Sequence, residues 1–160
     1  MSLHDVLGFM TFIVACVAAA APGMKFRPGV WYAALRKPAW TPPDWVFPVV
    51  WTVLYFMIAI AGWLVWTGAG GQDAALPLVV FGLQLVFNAL WSALFFGLRL
   101  PGYAFADLLL LWLTILATIL LFLPLHPVAA WMLLPYLLWV AFAGALNFAI
   151  WRLNRAGGVA

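Results

Sequence analysis

The chain has 160 residues, of which 69% are hydrophobic and 7% are charged, and its formal net charge at pH 7 is +3. A soluble domain carries about 25% charged residues, so this composition excludes a soluble globular protein and predicts one integral membrane domain over residues 1–160. The net charge does not indicate a nucleic-acid partner, and we expect none. The single cysteine, Cys16, excludes an intramolecular disulfide and gives no metal-site spacing, so no bound metal is expected.

Five apolar segments are each long enough to cross the ~30 Å hydrocarbon core of a bilayer, which takes about 20 helical residues. The sequence predicts these helices near residues 5–22, 46–66, 78–98, 103–123 and 128–152. The predicted fold class is an all-α membrane protein, a five-transmembrane-helix bundle, with one long loop over 23–45. Pro22 and Gly23 are predicted to end the first helix. We interpret that helix as a membrane span and not as a cleaved signal, because His4 and Asp5 precede it.

The basic residues are distributed on one side of this topology. All of them fall on the connections after the first, third and fifth helices, at Lys25, Arg27, Arg36, Lys37, Arg99, Arg152 and Arg155. Loops rich in lysine and arginine stay in the cytoplasm. We therefore predict a multi-pass protein of the cell membrane with its N-terminus outside and with the long first loop and the C-terminus in the cytoplasm.

The stretch from residue 37 to residue 55 reads KPAWTPPDWVFPVVWTVLY and is unusually rich in proline and tryptophan. Its prolines at 38, 42 and 43 fix φ and remove backbone donors, which predicts a stiff, non-helical approach. Pro48 falls in the first turn of the next helix, where its missing N–H costs little. Phe47, Trp51 and Tyr55 then share one helical face. A stiff aromatic lid above an aromatic helix face indicates a site for a large, flat, apolar ligand.

The third predicted helix has two distinct faces. A polar and aromatic face carries Gln84, Asn88, Trp91, Ser92 and Phe95. Unpaired polar groups are costly in hydrocarbon, so this face is predicted to point inward, either lining a ligand cavity or bonding to neighbouring helices. The opposite face carries a ridge of small residues at Gly82, Ala89, Ala93 and Gly97. Such a ridge allows close approach of helices, either within the monomer or in a homodimer.

The last two helices contain further polar and small residues. Asp107 is predicted near the start of the fourth helix, where pairing with Arg99 or the helix N-terminus explains it better than a proton relay. In the fifth helix, Pro135 is expected to kink or loosen the backbone. Trp139, Ala143 and Asn147 are predicted to follow Pro135 on roughly one face, with Ala143 leaving room beside the tryptophan.

The sequence lacks the residue sets of conventional catalysis. It has no Cys/His cluster, no Ser-His-Asp set, no paired carboxylates and no glycine-rich phosphate loop. His4 and His126 are both predicted at the outer side, which argues against a haem with a histidine axial ligand inside the bundle.

Four stretches resemble those of one known family. They read WYAALRKPAWTPPDWVFPVVWTVLY, QLVFNALWSALFFG, FADLLL and PYLLWVAFAGALNFAIWR. In order and spacing, from Val30 to Arg152, they resemble the TspO/MBR family of translocator proteins and tryptophan-rich sensory proteins, also called peripheral-type benzodiazepine receptors. The KPxWxPPxW segment is the most specific part of the resemblance.

The resemblance implies a five-helix bundle, commonly a homodimer, that binds porphyrins such as protoporphyrin IX and has no covalently attached cofactor. In eukaryotic members it also implies binding of cholesterol and of synthetic benzodiazepine or isoquinoline ligands. Matched position by position, the implied binding residues are Tyr32, Trp40, Trp51, Tyr55, Asn88, Trp91, Trp139, Ala143 and Leu146. The family is also associated with light-dependent porphyrin degradation, in which Trp51 and Trp139 would be the matching residues.

Several functions therefore stay open: tetrapyrrole binding for sensing or regulation, transport of porphyrin or lipid, light-dependent degradation, and a scaffold role. The family's sterol-recognition motif has a tyrosine where this chain has Phe148, so sterol transport has less support. The basic residues Lys25, Arg27, Arg36 and Lys37 are expected near the cytoplasmic mouth, where they would attract porphyrin propionates or contact anionic lipid.

Overall fold

A computed structural model describes residues 3–26, 29–68 and 71–155. Within these ranges the chain contains no strand, and five helical stretches are long and apolar enough to cross a membrane. The prediction of an all-α, five-helix membrane protein is confirmed. The helices are α1 Leu3–Lys25, α2 Val30–Ala34, α3 Val46–Gly68, α4 Ala75–Ser92, α5 Pro101–Phe122, α6 Pro127–Met132 and α7 Leu134–Asn154. A 3₁₀ turn precedes α4, a π turn (Ala93–Gly97) extends it, and α6 with α7 forms the fifth span.

The first helix is longer than predicted. Pro22 lies inside α1, which continues to Lys25, so the prediction that Pro22 and Gly23 end this helix is wrong. A proline removes only its own N–H from the helix ladder, and the next turn still closes because the amide of Phe26 donates to the Pro22 carbonyl at 2.8 Å. The long loop also contains the short helix α2, whereas residues 35–45 are non-helical, as the prolines predicted.

The five spans form a closed ring of neighbours. α3 packs against α1, α1 against α4, α4 against α5, and α5 against α7, while α6 returns to α3. The α1–α3–α4 contact depends on Gly62, where an added Cβ would lie 2.6 Å from the ring of Phe12 and 2.8 Å from that of Phe81. Because glycine has no side chain, these three helices approach closely at this level.

The last span is broken, as Pro135 predicted. α6 ends at Met132 and α7 begins at Leu134, so the proline occupies the first turn of a new helix, where no N–H is required. His126 caps α6, because its Nδ1 accepts a hydrogen bond from the amide of Ala129 at 3.2 Å. This position is at the end of the bundle opposite the long loop.

The ridge of small residues divides into two parts. A Cβ on Gly97 would lie 3.2 Å from the ring of Phe26, so here the ridge serves packing within the monomer. A Cβ on Gly82 would meet nothing within 4 Å among the described residues. The neighbouring side chains Val79 and Val86 are exposed. The Gly82 end of the ridge therefore faces away from the bundle.

Candidate ligand-binding site

A cavity of about 680 Å³ opens between α1, α3, α4 and α7 at the end of the bundle that carries the long loop. Its lining is mainly apolar and aromatic, and it consists of Ala20, Gly23, Met24, Tyr32, Asp44, Phe47, Pro48, Trp51, Thr52, Tyr55, Asn88, Trp91, Ser92, Phe95, Phe96, Ala143, Leu146, Asn147 and Ile150. The volume lies in the range of pockets that hold small molecules, about 300–1,000 Å³. α5 supports α4 and α7 from behind and contributes no lining residue.

Trp51 is at the centre of the aromatic wall. Its ring stacks near that of Trp91, with centroids 6.3 Å apart and an interplanar angle of 29°. It also meets Tyr55 at 5.6 Å and the edge of Tyr136 at 6.1 Å. Trp91 in turn stacks on Phe95 at 5.8 Å, within the π turn. These rings hold one another in position and present broad apolar faces to the cavity.

A chain of hydrogen bonds runs from the cavity into the core. The Tyr55 hydroxyl donates to Asn88 Oδ1 at 2.6 Å, and Asn88 Nδ2 donates to the Tyr136 hydroxyl at 2.8 Å. The Tyr136 hydroxyl donates to Gln84 Oε1 at 2.9 Å. Tyr136, Asn88 and Gln84 are almost fully buried. Inside a membrane such a network satisfies polar groups that water cannot reach, and it fixes the relative positions of α3, α4 and α7.

A second polar link joins α4, α7 and α5. Trp91 Nε1 donates to Asn147 Oδ1 at 3.1 Å, and Asn147 Nδ2 donates to the Pro101 carbonyl at 2.7 Å. Pro101 is the first residue of α5, so this bond ties α7 to the start of α5. The orientation of the Trp91 ring is therefore set by two neighbouring helices.

The lid over the cavity is formed by α2 and the non-helical residues that follow it. Tyr32 is 5% exposed and lines the cavity, with its ring edge-on to Phe96 at 5.6 Å. The ammonium of Lys37 lies 4.2 Å from the centroid of the same ring. Burial, and secondarily the carboxylate of Asp44, raise the pKa of Tyr32 to about 12. Tyr32 therefore stays neutral at physiological pH.

The side chain of Asn154 attaches the lid to the end of α7. Asn154 Oδ1 accepts from the Arg36 amide at 3.0 Å, and Asn154 Nδ2 donates to the Arg36 carbonyl at 2.9 Å. The side-chain amide of Asn154 thus pairs with both the backbone N–H and the backbone carbonyl of Arg36, as a neighbouring β-strand would. Asn154 is 4% exposed, so water does not compete for these two bonds.

We expect Asn154→Ala to raise the hydrogen-exchange rate of the Arg36 amide by about tenfold. The change removes two hydrogen bonds, each worth about 0.5–1.5 kcal/mol, and so favours local opening of the lid. Hydrogen–deuterium exchange with mass spectrometry measures the effect. Asn154→Asp retains an acceptor for the amide but loses the donor to the Arg36 carbonyl, so its exchange rate should lie between those of wild type and Asn154→Ala. Equal, slow exchange in wild type and Asn154→Ala would show that this contact does not hold the lid.

The profile of the TspO/MBR family matches residues 9–152 of the sequence. The chain belongs to the TspO/MBR family. Over 148 residues it is 43% identical to the protein CrtK of Rhodobacter capsulatus, covering 91% of this chain and 92% of the relative. It is 41% identical to a tryptophan-rich sensory protein of Cereibacter sphaeroides, over 91% of this chain and 90% of that protein. It is 40% identical to the human translocator protein, over 91% and 89% of the two chains.

The nine binding positions implied by the TspO/MBR resemblance all lie in the described ranges, and seven of them line the cavity. The seven are Tyr32, Trp51, Tyr55, Asn88, Trp91, Ala143 and Leu146. They come from the lid and from α3, α4 and α7. The structure brings these side chains together around one space, and their role in binding stays a prediction.

Trp40 and Trp139 lie outside this cavity, contrary to the predicted shared site. Trp139 lines a separate, open groove between α3 and α7, where it packs on Phe47 at 5.8 Å. Trp40 is half exposed and packs on Phe142 at 5.7 Å. A series spaced by four residues turns by about 40° per step around a helix. From Pro135 to Asn147 the predicted face therefore rotates from the groove into the cavity.

Asp107 is buried in this TspO/MBR protein, and no ion pair joins it to Arg99 among the described residues. The Arg99 guanidinium instead lies over the ring of Trp31, 5.9 Å from the ring centroid. The expected pairing of Asp107 with Arg99 is therefore wrong. No hydrogen-bond partner for Asp107 Oδ2 is found in the described ranges. A metal-binding group of His, Cys, Asp or Glu side chains is likewise not found there.

Two functional residues were not predicted from the sequence: Tyr136, which is central to the polar network, and Asn154, which holds the lid. Both belong to a series on α7 with alternating spacings of four and three: Tyr136, Val140, Ala143, Asn147, Ile150 and Asn154 are all buried. This 3.5-residue spacing follows one helix face, whereas a constant spacing of four drifts away from it. Reading α7 at that spacing would have identified both residues.

Proposed function

We propose that this protein binds a flat, largely apolar ligand of the tetrapyrrole class, such as protoporphyrin IX, in the cavity under the lid. One observation carries the proposal: Trp51 and Trp91 stack beside a lidded space of about 680 Å³ inside a membrane bundle. Aromatic faces interact with a macrocycle by stacking and edge contacts, worth about 0.5–1.5 kcal/mol each beyond burial. The names of the relatives, sensory protein and translocator protein, agree with ligand binding for sensing, regulation or transport.

The proposal is tested by narrowing the cavity at Ala143. Ala143 lines the cavity and is 5% exposed, so Ala143→Leu adds three carbon atoms where a ligand would lie. We expect affinity for protoporphyrin IX to fall by about tenfold or more, measured by quenching of tryptophan fluorescence in detergent. Ala145→Leu makes the same change two residues later at an exposed position and should leave affinity unchanged. Saturable quenching that is identical in both variants would place the ligand elsewhere.

Two alternative activities use the same ligand. Light-dependent degradation would require electron donation to the excited porphyrin, and Trp51 lines the cavity, whereas Trp139 is separated from it by the ring of Phe47. Protein-dependent products after illumination would support that activity and should depend on Trp51 more than on Trp139. Transport is distinguished by ligand flux into sealed proteoliposomes. Saturable binding without flux would favour sensing or regulation.

We propose that the lid faces the cytoplasm. The lid, the turn that carries Arg99 and the end of α7 that carries Arg152 lie at the same end of the bundle. Basic residues are retained on the cytoplasmic side, which gives this orientation in the cell membrane. Labelling of intact cells with a membrane-impermeant thiol reagent should then modify Asp73→Cys and not Arg152→Cys.

We further propose a homodimer through the open Gly82 end of the small-residue ridge, which crosslinking in membranes would test.

A further inference from the structure

Most polar groups that line the cavity are already occupied by the protein. The Tyr55 hydroxyl donates to Asn88, the Trp91 indole donates to Asn147, and the Thr52 hydroxyl donates to the Pro48 carbonyl. A ligand gains little from groups whose hydrogen bonds are already made. The lining groups left to contact a ligand are the Trp51 indole on α3, the Ser92 hydroxyl on α4 and, at the lid end, Tyr32 and Asp44. Of these, Asp44 is the charged one.

Asp44 is the one charged side chain that lines the cavity among the described residues. It lies just before α3, at the lid end, and no ion pair to it is found within those residues. The basic side chains nearby lie on aromatic rings: Lys25 on Phe26, Lys37 on Tyr32 and Arg99 on Trp31. They do not line the cavity, and Arg27 lies outside the described residues. Lys25, Arg36 and Lys37 thus lie near the lid end, as expected, but none of their side chains lines the cavity.

The local charge acts on a second lining residue. Asp44 is the charged group that, after burial, contributes to raising the pKa of Tyr32 to about 12. Lys37 contacts the same ring but has no comparable lowering effect on that hydroxyl. The cavity lining at the lid end therefore contains a carboxylate, while the nearby ammonium of Lys37 lies on the Tyr32 ring and outside the lining.

We propose that Asp44 makes the cavity selective by charge, favouring ligands whose lid end carries a protonated amine over ligands whose lid end carries a carboxylate. This inference rests on the proposed function, because it concerns the same ligand cavity. A cation near Asp44 gains Coulomb energy, and the gain is modest because the Asp44 side chain is exposed to solvent. A carboxylate is repelled there, so a porphyrin with two propionates must turn them away from Asp44.

Three probes with the same macrocycle test the inference: protoporphyrin IX, its uncharged dimethyl ester, and its diamide with ethylenediamine, which carries two ammonium groups. The full chain is held in a neutral detergent, so the micelle does not favour either charge. We expect the diamide to bind about tenfold more tightly than protoporphyrin IX, with the ester between them, and the difference to shrink as salt is raised. Asp44→Asn should reduce the difference to about twofold, and Asp44→Lys should reverse the order.

Asp73→Asn is the matched control, because it removes the same charge from the opposite end of the bundle. It should leave the order of affinities as in wild type. In the absence of ligand, the Arg36 amide should exchange with deuterium at the wild-type rate in Asp44→Asn, because its bonds to Asn154 are untouched. This reports that the lid is folded in the variant.

The outcomes separate the two proposals. Equal affinities of the three probes in wild type, or an order that Asp44→Asn leaves unchanged, would overturn charge selection by Asp44 while leaving cavity binding intact. If none of the probes binds saturably, or if Ala143→Leu weakens none of them, the cavity is not the ligand site and the proposed function fails. Preference for the diamide that disappears with Asp44→Asn and persists with Asp73→Asn supports the inference.

Discussion

Replacing Trp51 by alanine should weaken protoporphyrin binding by about 10- to 100-fold. Trp51 lines the cavity and contacts Trp91, Tyr55 and Tyr136. The substitution therefore removes a stacking surface for the ligand and also loosens the rings around it. Losses of about 1.5–3 kcal/mol are typical when a large buried side chain is no longer available for apolar contact.

The matched substitution is Trp139→Ala, which removes an equally large indole from the same membrane bundle. Trp139 lines the open groove and not the cavity, so affinity should change less than about twofold. Porphyrin absorbance is the appropriate readout, because both variants remove an intrinsic fluorophore. Equal losses of affinity in the two variants would mean that the ligand occupies both the cavity and the groove. If Trp51→Ala binds protoporphyrin with wild-type affinity, the cavity is not the binding site.

Replacing Tyr136 by phenylalanine should lower the free energy of unfolding by about 2–4 kcal/mol. The Tyr136 hydroxyl both donates to Gln84 Oε1 and accepts from Asn88 Nδ2, and its side chain is fully buried. No partner is found for Gln84 Nε2 among the described residues, so the change would leave the whole Gln84 amide unpaired. Each polar group left without a partner in the core costs about 1–3 kcal/mol.

Reversible unfolding in mixed detergent micelles measures this loss. Tyr55→Phe is the control, because it removes an equivalent hydroxyl and leaves only Asn88 Oδ1 without its donor, next to the cavity. Its effect should be about half as large or smaller. If Tyr136→Phe unfolds with the wild-type free energy, the network does not stabilise the bundle, whatever its role toward a ligand.

The inward faces of α3 and α4 were predicted well because they depend on positions within a single helix. Asn88, Trp91, Ser92 and Phe95 on the predicted inward face all line the cavity, and Gln84 is buried beneath it. Helical geometry places residues three and four apart on one side, and polar groups avoid lipid. The same reasoning placed Phe47, Trp51 and Tyr55 correctly on the wall of the cavity.

Trp139 was predicted to share the cavity with Asn147, and this prediction was wrong because a spacing of four residues does not follow one face of a helix. Its distance from Asn147 along α7 is two helical turns, over which a spacing of four residues rotates by about 80°. That rotation, with the break before Leu134, carries Trp139 to the groove. The resemblance to the family gave the residue type and position, but not the direction in which the side chain points.

By itself, the sequence determined that this is a five-helix membrane protein and which face of α4 points inward, because hydropathy and helical period are properties of contiguous residues. Only the tertiary structure decided which helices share the cavity, that Asp44 is the charged side chain in its described lining, and that Asn154 pairs with Arg36 across 118 positions. Those features depend on distances between segments far apart in the chain, which are set by how the helices pack and not by the order of residues within any one of them.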